Sequence, residues 1–425
     1  MLDPRELAKR RDEVVESCRR RAVRADVDAA VAARGETTQL RTELQEWNQR
    51  RKEHQAASKK ALGPEEREAH AAAGRQLKEE AGNAEKRLAE AERILREHML
   101  EIPNFVHPEV PEGGEDDFRE LRRIHEPPSF GFEARDHLAL GKALDLFDFE
   151  SGAKVTGQKF YFLKNELVLV ELALQRFALD VAREAGFTLH STPDLARRTI
   201  VDHLAFSPRG DETNIYSVAD TDLDLVGTAE ITLGGLGADV IFEESELPVR
   251  LAGLSHCFRT EAGSHGRESK GLYRVHQFSK VELFTFCHPE TSEALHEEIL
   301  GIEEQILQTL EIPYRVIDVA SGDLGAPAYR KYDIEAWMPG RGEGGSYGEV
   351  TSASNCTNFQ SRRLKTRFRR TGAKKNDLVH TLNGTAVATP RLLIPLLENH
   401  QQADGSVAVP EGLRQYTGFD RIGPR

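Results

Sequence analysis

Residues 258–284 read FRTEAGSHGRESKGLYRVHQFSKVELF, and this stretch decides how the second part of the chain folds. A strand runs into a loop rich in Gly, Ser and Arg, and a second strand follows. Successive strand residues point to opposite faces, so the alternation directs several charged side chains to one face of a sheet. A face with Arg, Glu and an aromatic ring can bind a phosphate, an amine and a planar base, while a surface hairpin with ordinary ion pairs stays open as the alternative. The residues concerned are Arg259, Glu261, Arg274, Phe278 and Glu282.

The residues on either side of this stretch alternate between helix-like and strand-like patterns. Apolar residues recur on one face of 166–185, which predicts a helix that Gly186 ends, and a second helix is predicted over 290–310. Adjacent strands with helices elsewhere indicate an α+β domain, in which helices flank a largely antiparallel sheet. Segments rich in β-branched and aromatic residues predict strands over 187–190, 256–260, 273–278, 281–287, 314–319 and 347–351.

The first 100 residues differ in composition, because Ala, Glu, Arg, Lys and Gln dominate them and all favour helices. Gly63-Pro64 interrupts the helical pattern near its middle. The sequence therefore predicts a long antiparallel helical hairpin with its tip near 62–65; about 35 residues per helix at ~1.5 Å each give an arm of roughly 50 Å. A coiled-coil rod that dimerises the chain is the alternative. The predicted apolar seam consists of Leu77, Ala81, Ala84, Leu88, Ala91 and Leu95.

Prolines, a Gly-Gly pair and acidic residues in 101–118 (EIPNFVHPEVPEGGEDDF) indicate a linker. We therefore divide the chain into a helical arm at 1–105, a linker at 106–120 and a second domain at 121–425. The net charge is −13, yet the first 100 residues hold 22 Lys and Arg against 20 Asp and Glu. An acidic body argues against non-specific coating of nucleic acid, whereas the arginine-rich appendage is compatible with a local contact.

The overall composition, 39% hydrophobic and 30% charged, is typical of a soluble globular protein. The apolar stretches are far shorter than the ~20 residues that cross a bilayer, and the N-terminus lacks the apolar core of a signal peptide. We therefore expect a cytoplasmic protein without a membrane segment. The histidines and cysteines between 256 and 287 lack zinc-ligand spacing, so no zinc is expected. The cysteines form no CxxC pair, which favours reduced thiols: Cys18, Cys257, Cys287 and Cys356.

Residues 258–284 resemble motif 2 of class II aminoacyl-tRNA synthetases. Within them, HQFSKVELF is closely similar to motif 2 of the seryl-tRNA synthetase family. Residues 166–193 resemble motif 1, with Pro193 as its proline. Residues 383–398, NGTAVATPRLLIPLLE, resemble motif 3, with Arg391 as its arginine. The motifs follow one another in the family's order.

Two further segments strengthen the resemblance. Thr228-Ala229-Glu230 is similar to the family's serine-binding TxE loop, and 348–363, GEVTSASNCTNFQSRR, matches another family stretch almost residue for residue. The resemblance thus covers essentially the whole chain. The HIGH and KMSKS signatures of class I synthetases are absent from the sequence.

This resemblance implies a homodimeric serine–tRNA ligase. Such an enzyme activates serine with ATP and Mg²⁺ to seryl-adenylate and transfers it to the 3′ end of serine tRNA and, in this family, selenocysteine tRNA. The hairpin would be the tRNA-binding arm, and 121–425 would be the class II catalytic domain. Two other classes stay open: a synthetase-like paralogue that passes activated serine to a non-tRNA acceptor, and a non-catalytic tRNA-binding homologue. The full hairpin argues against the first class, and the intact charged residues argue against the second.

The resemblance also implies roles for individual residues: Arg259 and Arg391 hold the α- and γ-phosphates, Phe278 stacks on adenine, and Glu230 and Glu282 hold the serine ammonium and hydroxyl. The catalytic residues are Arg259, Glu282 and Arg391. The ATP-binding residues are Arg259, Glu261, Arg274, Val275, Phe278, Glu349, Val350, Ser352 and Arg391, of which Glu349 and Ser352 bind Mg²⁺ with the nucleotide. The serine-binding residues are Thr228, Glu230, Arg259, Glu282, Asn383 and Thr385. The tRNA-binding residues are Arg50, Arg51, Lys52, Lys59 and Lys60.

Overall fold

The computed structural model describes residues 1–57, 63–206, 215–262 and 270–424. The chain divides into two compact units, Met1–Phe105 and Val106–Arg425. Its helices are α1 (Arg11–Arg20), α2 (Val27–Ala57), α3 (Pro64–Glu101), α4 (His137–Ala143), α5 (Phe149–Val155), α6 (Glu166–Glu184), α7 (Arg198–Leu204), α8 (Ala229–Gly235), α9 (Ser292–Thr309), α10 (Phe359–Leu364), α11 (Thr389–Asn399) and α12 (Glu411–Thr417).

In the first unit, α2 and α3 pack as an antiparallel pair. Arg41 pairs with Glu92 and Glu43 with Arg87, so partner numbers fall along α3 as they rise along α2. At the start of α3, the backbone N–H of Gly63 donates to the Glu66 carboxylate at 2.8 Å, and Pro64 suits the first turn. The predicted hairpin is confirmed, although residue 62 of its predicted tip lies outside the described residues. The buried residues of α3 are Ala81, Ala84, Leu88, Ala91, Leu95 and Met99.

The second unit is built on an eight-stranded sheet with the order β1-β10-β11-β12-β15-β9-β8-β4. Neighbouring strands are antiparallel except for β4 and β8, which are parallel, so the predicted α+β domain with a largely antiparallel sheet is confirmed. Its strands are β1 (Arg119–Ile124), β4 (Thr188–Ser191), β8 (Val249–Phe258), β9 (Gln277–Cys287), β10 (Tyr314–Asp318), β11 (Arg330–Met338), β12 (Ser346–Asn355) and β15 (His380–Ala388).

Short strands form four smaller sheets within the described residues, ordered β14-β13-β7, β16-β17, β2-β3 and β5-β6. These strands are β2 (Phe147–Asp148), β3 (Phe162–Leu163), β5 (Leu195–Arg197), β6 (Leu223–Leu225), β7 (Ile241–Glu243), β13 (Arg367–Arg369), β14 (Asn376–Leu378), β16 (Val407–Ala408) and β17 (Arg421–Ile422).

The main core lies between the large sheet and the helices α6, α9 and α11. The apolar face predicted for 166–185 is the buried face of α6, and the helix predicted over 290–310 is α9. Because the buried side chains of α6 recur every three or four residues, one face of this helix is apolar enough to pack on the sheet. They include Leu167, Val170, Leu174, Phe177 and Val181.

The strand boundaries predicted around the opening stretch are partly wrong. The strands predicted over 273–278 and 281–287 are one strand, β9, and Gly271–Tyr273 form a 3₁₀ turn before it. In the sequence, the polar pair Ser279-Lys280 suggests that one strand ends and another begins. In the structure, Lys280 is buried through its ion pair with Glu282, so the strand continues. In the segment predicted as a linker, Val110 is buried in a cluster with residues of β10 and the loop after it.

Candidate active site

A cavity of about 360 Å³ opens beside the central strands of the sheet. Its volume falls within the ~300–1,000 Å³ usual for small-molecule sites. The structure brings all the residues predicted to bind ATP and serine together around it, although they come from segments far apart in the chain. These lining residues are Thr228, Glu230, Arg259, Glu261, Arg274, Val275, Phe278, Glu282, Glu349, Val350, Ser352, Asn383, Thr385 and Arg391.

Glu230 lies in the first turn of α8, where the Thr228 hydroxyl accepts a hydrogen bond from the Glu230 backbone N–H at 3.2 Å. One carboxylate oxygen, Oε1, accepts from Gln360 Nε2 at 2.7 Å and from Asn383 Nδ2 at 3.1 Å. Both donors are neutral amides. Burial, and next the neighbouring charge of Glu282, raise the pKa of Glu230 to about 7. Glu230 is therefore a half-buried acid with no cation in hydrogen-bond contact among the described residues.

Glu282 lies on β9 directly opposite Thr385 of β15. Its Oε2 atom lies 2.6 Å from Lys280 Nζ and accepts from the Thr385 hydroxyl at 3.3 Å. Burial raises the pKa of Glu282, and the charge of Lys280 opposes that shift. Oε1 has no hydrogen-bond partner within the described part of the chain. The environments of the two glutamates thus differ, since only Glu282 is paired with a cation.

At the phosphate end, Arg391 follows β15 on α11, and its Nη1 lies 2.8 Å from Oε1 of Glu349. Burial opposes ionisation of Glu349, but the charges of Arg391 and Lys331 outweigh it and lower the pKa of this carboxyl to about 2. The Arg391 guanidinium also lies 4.9 Å from the centroid of the Tyr273 ring. Glu349 is therefore ionised at neutral pH.

Arg259 follows the end of β8, and its Nε donates to the Gly227 carbonyl at 3.2 Å. Its guanidinium carbon lies 5.4 Å from the centroid of the Phe278 ring, so a cation and an aromatic face are adjacent in the cavity. Arg274 forms an ion pair of 3.1 Å with Glu261, which holds the two predicted strand ends together. Residues 263–269 between them lie outside the described residues.

Several residues of this site were not predicted from the sequence. Lys280 could have been found, since it lies two residues before Glu282 and therefore on the same face of a strand. Lys331 pairs with Asp333 at 3.3 Å and Asp323 at 3.6 Å, and no sequence pattern marks it. Gln360 comes from α10 and reaches Glu230 only in the folded chain.

Of the five residues predicted to bind tRNA, the three that the structure describes do not line this cavity, and the other two lie outside the described residues. Arg50, Arg51 and Lys52 lie near the end of α2, where the Arg50 guanidinium carbon is 4.8 Å from the Trp47 ring centroid. Lys59 and Lys60 lie outside the described residues. Across the described ranges, no group of three or more His, Cys, Asp or Glu side chains is arranged to hold a metal ion. None of the helices in those ranges has the length and apolar character of a bilayer crossing.

Two family profiles match the chain. The profile of the seryl-tRNA synthetase N-terminal domain matches residues 1–106, and that of the class II tRNA synthetase core domain (G, H, P, S and T) matches residues 216–400. The serine–tRNA ligase of Treponema denticola is 51% identical over 424 residues, covering 100% of both chains. The serine–tRNA ligase of Rubrobacter xylanophilus is 53% identical over 425 residues, covering 100% of this chain and 99% of the relative.

Solved structures give the same result. The seryl-tRNA synthetase of Pyrococcus horikoshii, complexed with ATP, superposes with a TM-score of 0.90 at 36% identity and 100% coverage of both chains. The cytoplasmic serine–tRNA ligase of Naegleria fowleri, in complex with AMP, has a TM-score of 0.81 at 31% identity and covers 97% of this chain and 96% of its own. With half of its residues shared over the full length of curated relatives, the chain belongs to the seryl-tRNA synthetase family and is an aminoacyl-tRNA synthetase.

Proposed function

We propose that this enzyme activates serine with ATP and transfers it to serine tRNA. Residues 1–105 act as the tRNA arm, 106–120 as the linker and 121–425 as the catalytic domain. The observation that carries the proposal is the charge pattern of one cavity: the buried Glu282 and the half-buried Glu230 lie among its lining residues, and so do Arg259 and Arg391, each beside an aromatic ring. Such a cavity offers partners for an ammonium group, for phosphates and for a base.

In the activation step, a carboxylate oxygen of serine attacks the α-phosphorus of ATP. The new P–O bond gives seryl-adenylate, and the bond to the β-phosphate breaks as pyrophosphate leaves. Arg259 holds the α-phosphate and Arg391 the γ-phosphate, because guanidinium groups match phosphate oxygens in charge and geometry. Phe278 stacks on adenine. Gly227 holds the Arg259 guanidinium and Glu349 holds that of Arg391 before the substrates bind. The two arginines therefore act by positioning and by electrostatic stabilisation.

The residues present fit a Mg²⁺ ion that arrives with ATP. Glu349 is ionised and Ser352 offers a hydroxyl oxygen three positions further along β12, and both line the cavity. Hard oxygen ligands of this kind suit Mg²⁺, which usually takes its remaining ligands from phosphates and water. When bound, the ion neutralises negative charge on the phosphates. Arg391 and Lys331 keep Glu349 ionised, so this ligand is ready without a proton being lost.

The two glutamates bind different groups of serine, because only Glu282 is already paired with a cation. Glu282 is already paired with Lys280, so its free oxygen can accept a hydrogen bond from the neutral serine hydroxyl without an unbalanced charge. Glu230 has only amide donors, so the serine ammonium supplies its missing counter-ion. Alanine would leave Glu282 without a hydroxyl partner, and a buried polar group left unpaired lowers binding strongly. Thr385 and Asn383 border the same space and exclude threonine by size.

In the second step, the 3′-hydroxyl of the terminal adenosine of the tRNA attacks the seryl carbonyl, and AMP leaves. The arm supplies the tRNA contact: α3 has 38 residues and, at ~1.5 Å per residue, is about 57 Å long, which suits reading the outline of an extended variable arm. Arg50, Arg51 and Lys52, with Lys59 and Lys60 beyond them, contact phosphates. Selenocysteine tRNA is a second acceptor on the strength of the family resemblance.

We also propose a homodimer in the cytoplasm. α6, which resembles the family's motif 1, leaves Val168, Leu169 and Leu172 exposed at 38%, 48% and 55%. Apolar side chains gathered on the outer face of one helix favour an interface. The cysteines form no disulfide, which fits a reducing compartment.

Serine-dependent exchange of labelled pyrophosphate into ATP, followed by charging of serine tRNA, tests the function. We expect exchange with serine and much weaker exchange with alanine or threonine. Exchange without charging would point to a non-tRNA acceptor, and tRNA binding without exchange would indicate a non-catalytic homologue; either result would overturn the proposal.

A further inference from the structure

Glu303 is a fully buried glutamate on α9 that the chemistry above does not use. α9 packs against β12 and β15, the strands that carry Thr351 and Thr385. Neither carboxyl oxygen of Glu303 meets hydrogen-bond geometry with a described residue, although the carboxyl lies against the Thr351 side chain and the Thr385 backbone. A buried polar group of this kind has a cost in stability, so its place beneath a substrate cavity needs an explanation.

The sheet opens at the point where Glu303 meets it. The pairing between β12 and β15 ends with Ala353 opposite Gly384. Beyond it, the Thr351 hydroxyl donates to the Thr385 carbonyl in place of a ladder bond. Gly384 leaves room for two side chains of α9, since a Cβ atom at this position would clash with Ile299 Cγ2 and would lie 2.7 Å from Glu303 Oε1. Glu303 therefore fills a gap in the sheet that Gly384 provides.

The direction of the Thr351 hydrogen bond determines which contact the Thr351 hydroxyl can make with Glu303. A hydroxyl has one proton, and that of Thr351 points to the Thr385 carbonyl, so Thr351 can only accept from Glu303. A hydrogen bond between these two side chains would therefore need the proton of a neutral Glu303 carboxylic acid. Burial raises the pKa of Glu303 well above its ordinary value, and the nearby Glu282 and Asp333 act in the same direction, while contact with Thr351 opposes it.

We propose that protonated Glu303 is a positioning residue for the serine pocket, which acts through Thr351 on the backbone of Thr385. The Thr385 hydroxyl in turn donates to Glu282 at 3.3 Å, so the contacts run from the back of the sheet to the carboxylate that receives the serine hydroxyl. This inference rests on the proposed function, because it takes Glu282 and Thr385 as serine contacts. Arg259, Phe278 and Arg391, which the proposal assigns to the phosphates and the adenine, lie outside this chain of residues.

Pyrophosphate exchange with serine and ATP varied separately tests the inference. Gln keeps the shape of the neutral acid and a donor, so Glu303→Gln should stay within about 3-fold of wild type in serine KM, whereas Glu303→Leu should raise it about 10-fold or more. The KM for ATP should change less than about 2-fold in both variants, because an effect confined to serine binding leaves it unaltered. Thr351→Val should resemble Glu303→Leu, and the double variant should be no worse than either single one, because both break one chain of contacts.

Glu304 offers a matched control on the same helix. It is also buried, but it pairs with Arg122 and accepts from Tyr314, away from the cavity. Glu304→Leu should lower the unfolding temperature without changing serine KM. An unchanged serine KM in Glu303→Leu, an equal rise in the KM for serine and ATP, or a Glu303→Gln variant as impaired as Glu303→Leu would overturn the inference. If Glu303→Leu does not fold, an unchanged serine KM in Thr351→Val overturns it. A wild-type enzyme without serine-dependent exchange would refute the proposed function, and this inference with it.

Discussion

The ammonium of Lys280 lies 2.6 Å from the carboxylate of Glu282, and both side chains are buried on one face of the same strand. Removing one partner of a buried ion pair typically costs about 3–5 kcal/mol, because the other charge is left uncompensated. Burial raises the pKa of Glu282, and the charge of Lys280 opposes that shift and so favours the ionised acceptor. Lys280 also satisfies the charge of Glu282, which is why the proposed binding mode assigns the serine ammonium to Glu230.

Replacement of Glu282 by Gln should weaken serine use selectively. The amide keeps the shape but loses the negative acceptor and leaves Lys280 unpaired, so serine KM should rise about 10-fold or more while ATP KM changes less than about 2-fold. Pyrophosphate exchange with each substrate varied in turn measures both constants. Equal changes in the two constants would contradict the role of Glu282 in serine recognition.

The affinity for serine should depend on pH near neutrality through Glu230. Burial raises its pKa to about 7, so the carboxylate is largely protonated at pH 6 and gains its charge as pH rises. Serine KM should therefore fall between pH 6 and pH 8 and level off above that range. Glu230→Gln should have a higher serine KM with a flatter pH profile. The ATP KM serves as the internal control, and a wild-type serine KM that rises with pH would refute the assignment.

Arg391→Ala should lower the rate of adenylate formation by about 10²-fold or more, since one phosphate contact is lost in the transition state and Glu349 loses its partner. Arg391→Lys keeps the charge but lacks the planar guanidinium group. Its rate of adenylate formation should therefore lie between those of the wild type and Arg391→Ala. Single-turnover formation of seryl-adenylate measures the rate directly. Near-wild-type activity in a folded Arg391→Ala enzyme would remove this residue from the site.

Shortening the hairpin should separate activation from charging. Deletion of 45–83 with a short Gly/Ser connection keeps the apolar cluster of Leu40, Leu88 and Ala91, so the base of the hairpin should fold. We expect unchanged pyrophosphate exchange and loss of efficient tRNA charging. An inactive monomer by light scattering would instead support the coiled-coil dimerisation rod.

Replacing Arg50, Arg51 and Lys52 with Gln should weaken charging and reduce its salt dependence, because each lost phosphate contact lowers the salt slope by about one. The matched control replaces the exposed pair Lys374 and Lys375 of the second unit with Gln. Charging assays across a series of salt concentrations compare the two variants. The same loss in both would show a general charge effect rather than a contact by the arm.

Leu172→Glu should convert the proposed dimer into monomers, since a charge would be placed on the exposed apolar face of α6. Val15→Glu, which places the same charge at an exposed apolar position of the first unit, is the control. Light scattering gives the mass of each protein. A dimer of wild-type stability in Leu172→Glu would place the interface elsewhere.

The parts of the fold that the sequence predicts are those set by local periodicity. The three-and-four spacing of Ala84, Leu88 and Ala91 marks the buried seam of α3, because helical geometry alone brings these residues to one face. The strands were harder to delimit, since Lys280 gives a polar signal but is buried by an ion pair. Burial of this kind depends on a partner, and a hydropathy pattern does not contain it.

In the site, too, local sequence patterns predict some residues, and contacts between distant segments determine the others. Residues inside recognisable motifs, such as Arg259 and Arg391, were assigned from the sequence, and the structure places them in one cavity. Gln360 lies within the recognised stretch 348–363, but its contact with Glu230 arises only in the folded chain. Glu303 carries no such signal, because it lies on a helix and reaches the site through Thr351, more than 45 positions away. Contacts between distant segments are a property of the folded chain.

The pairing of β1 with β10 has a consequence for synthesis of the chain. Arg119 and Asp318 are hydrogen-bonded across this pair although 199 residues separate them. While the ribosome is still making the middle of the chain, β1 has no partner, and closing so long a loop is slow compared with forming a helical hairpin from neighbouring residues. The hairpin should therefore fold while still attached to the ribosome, whereas β1 waits unpaired for its late partner, and its exposed, mostly charged sequence RELRRI guards it against pairing with other chains in the meantime.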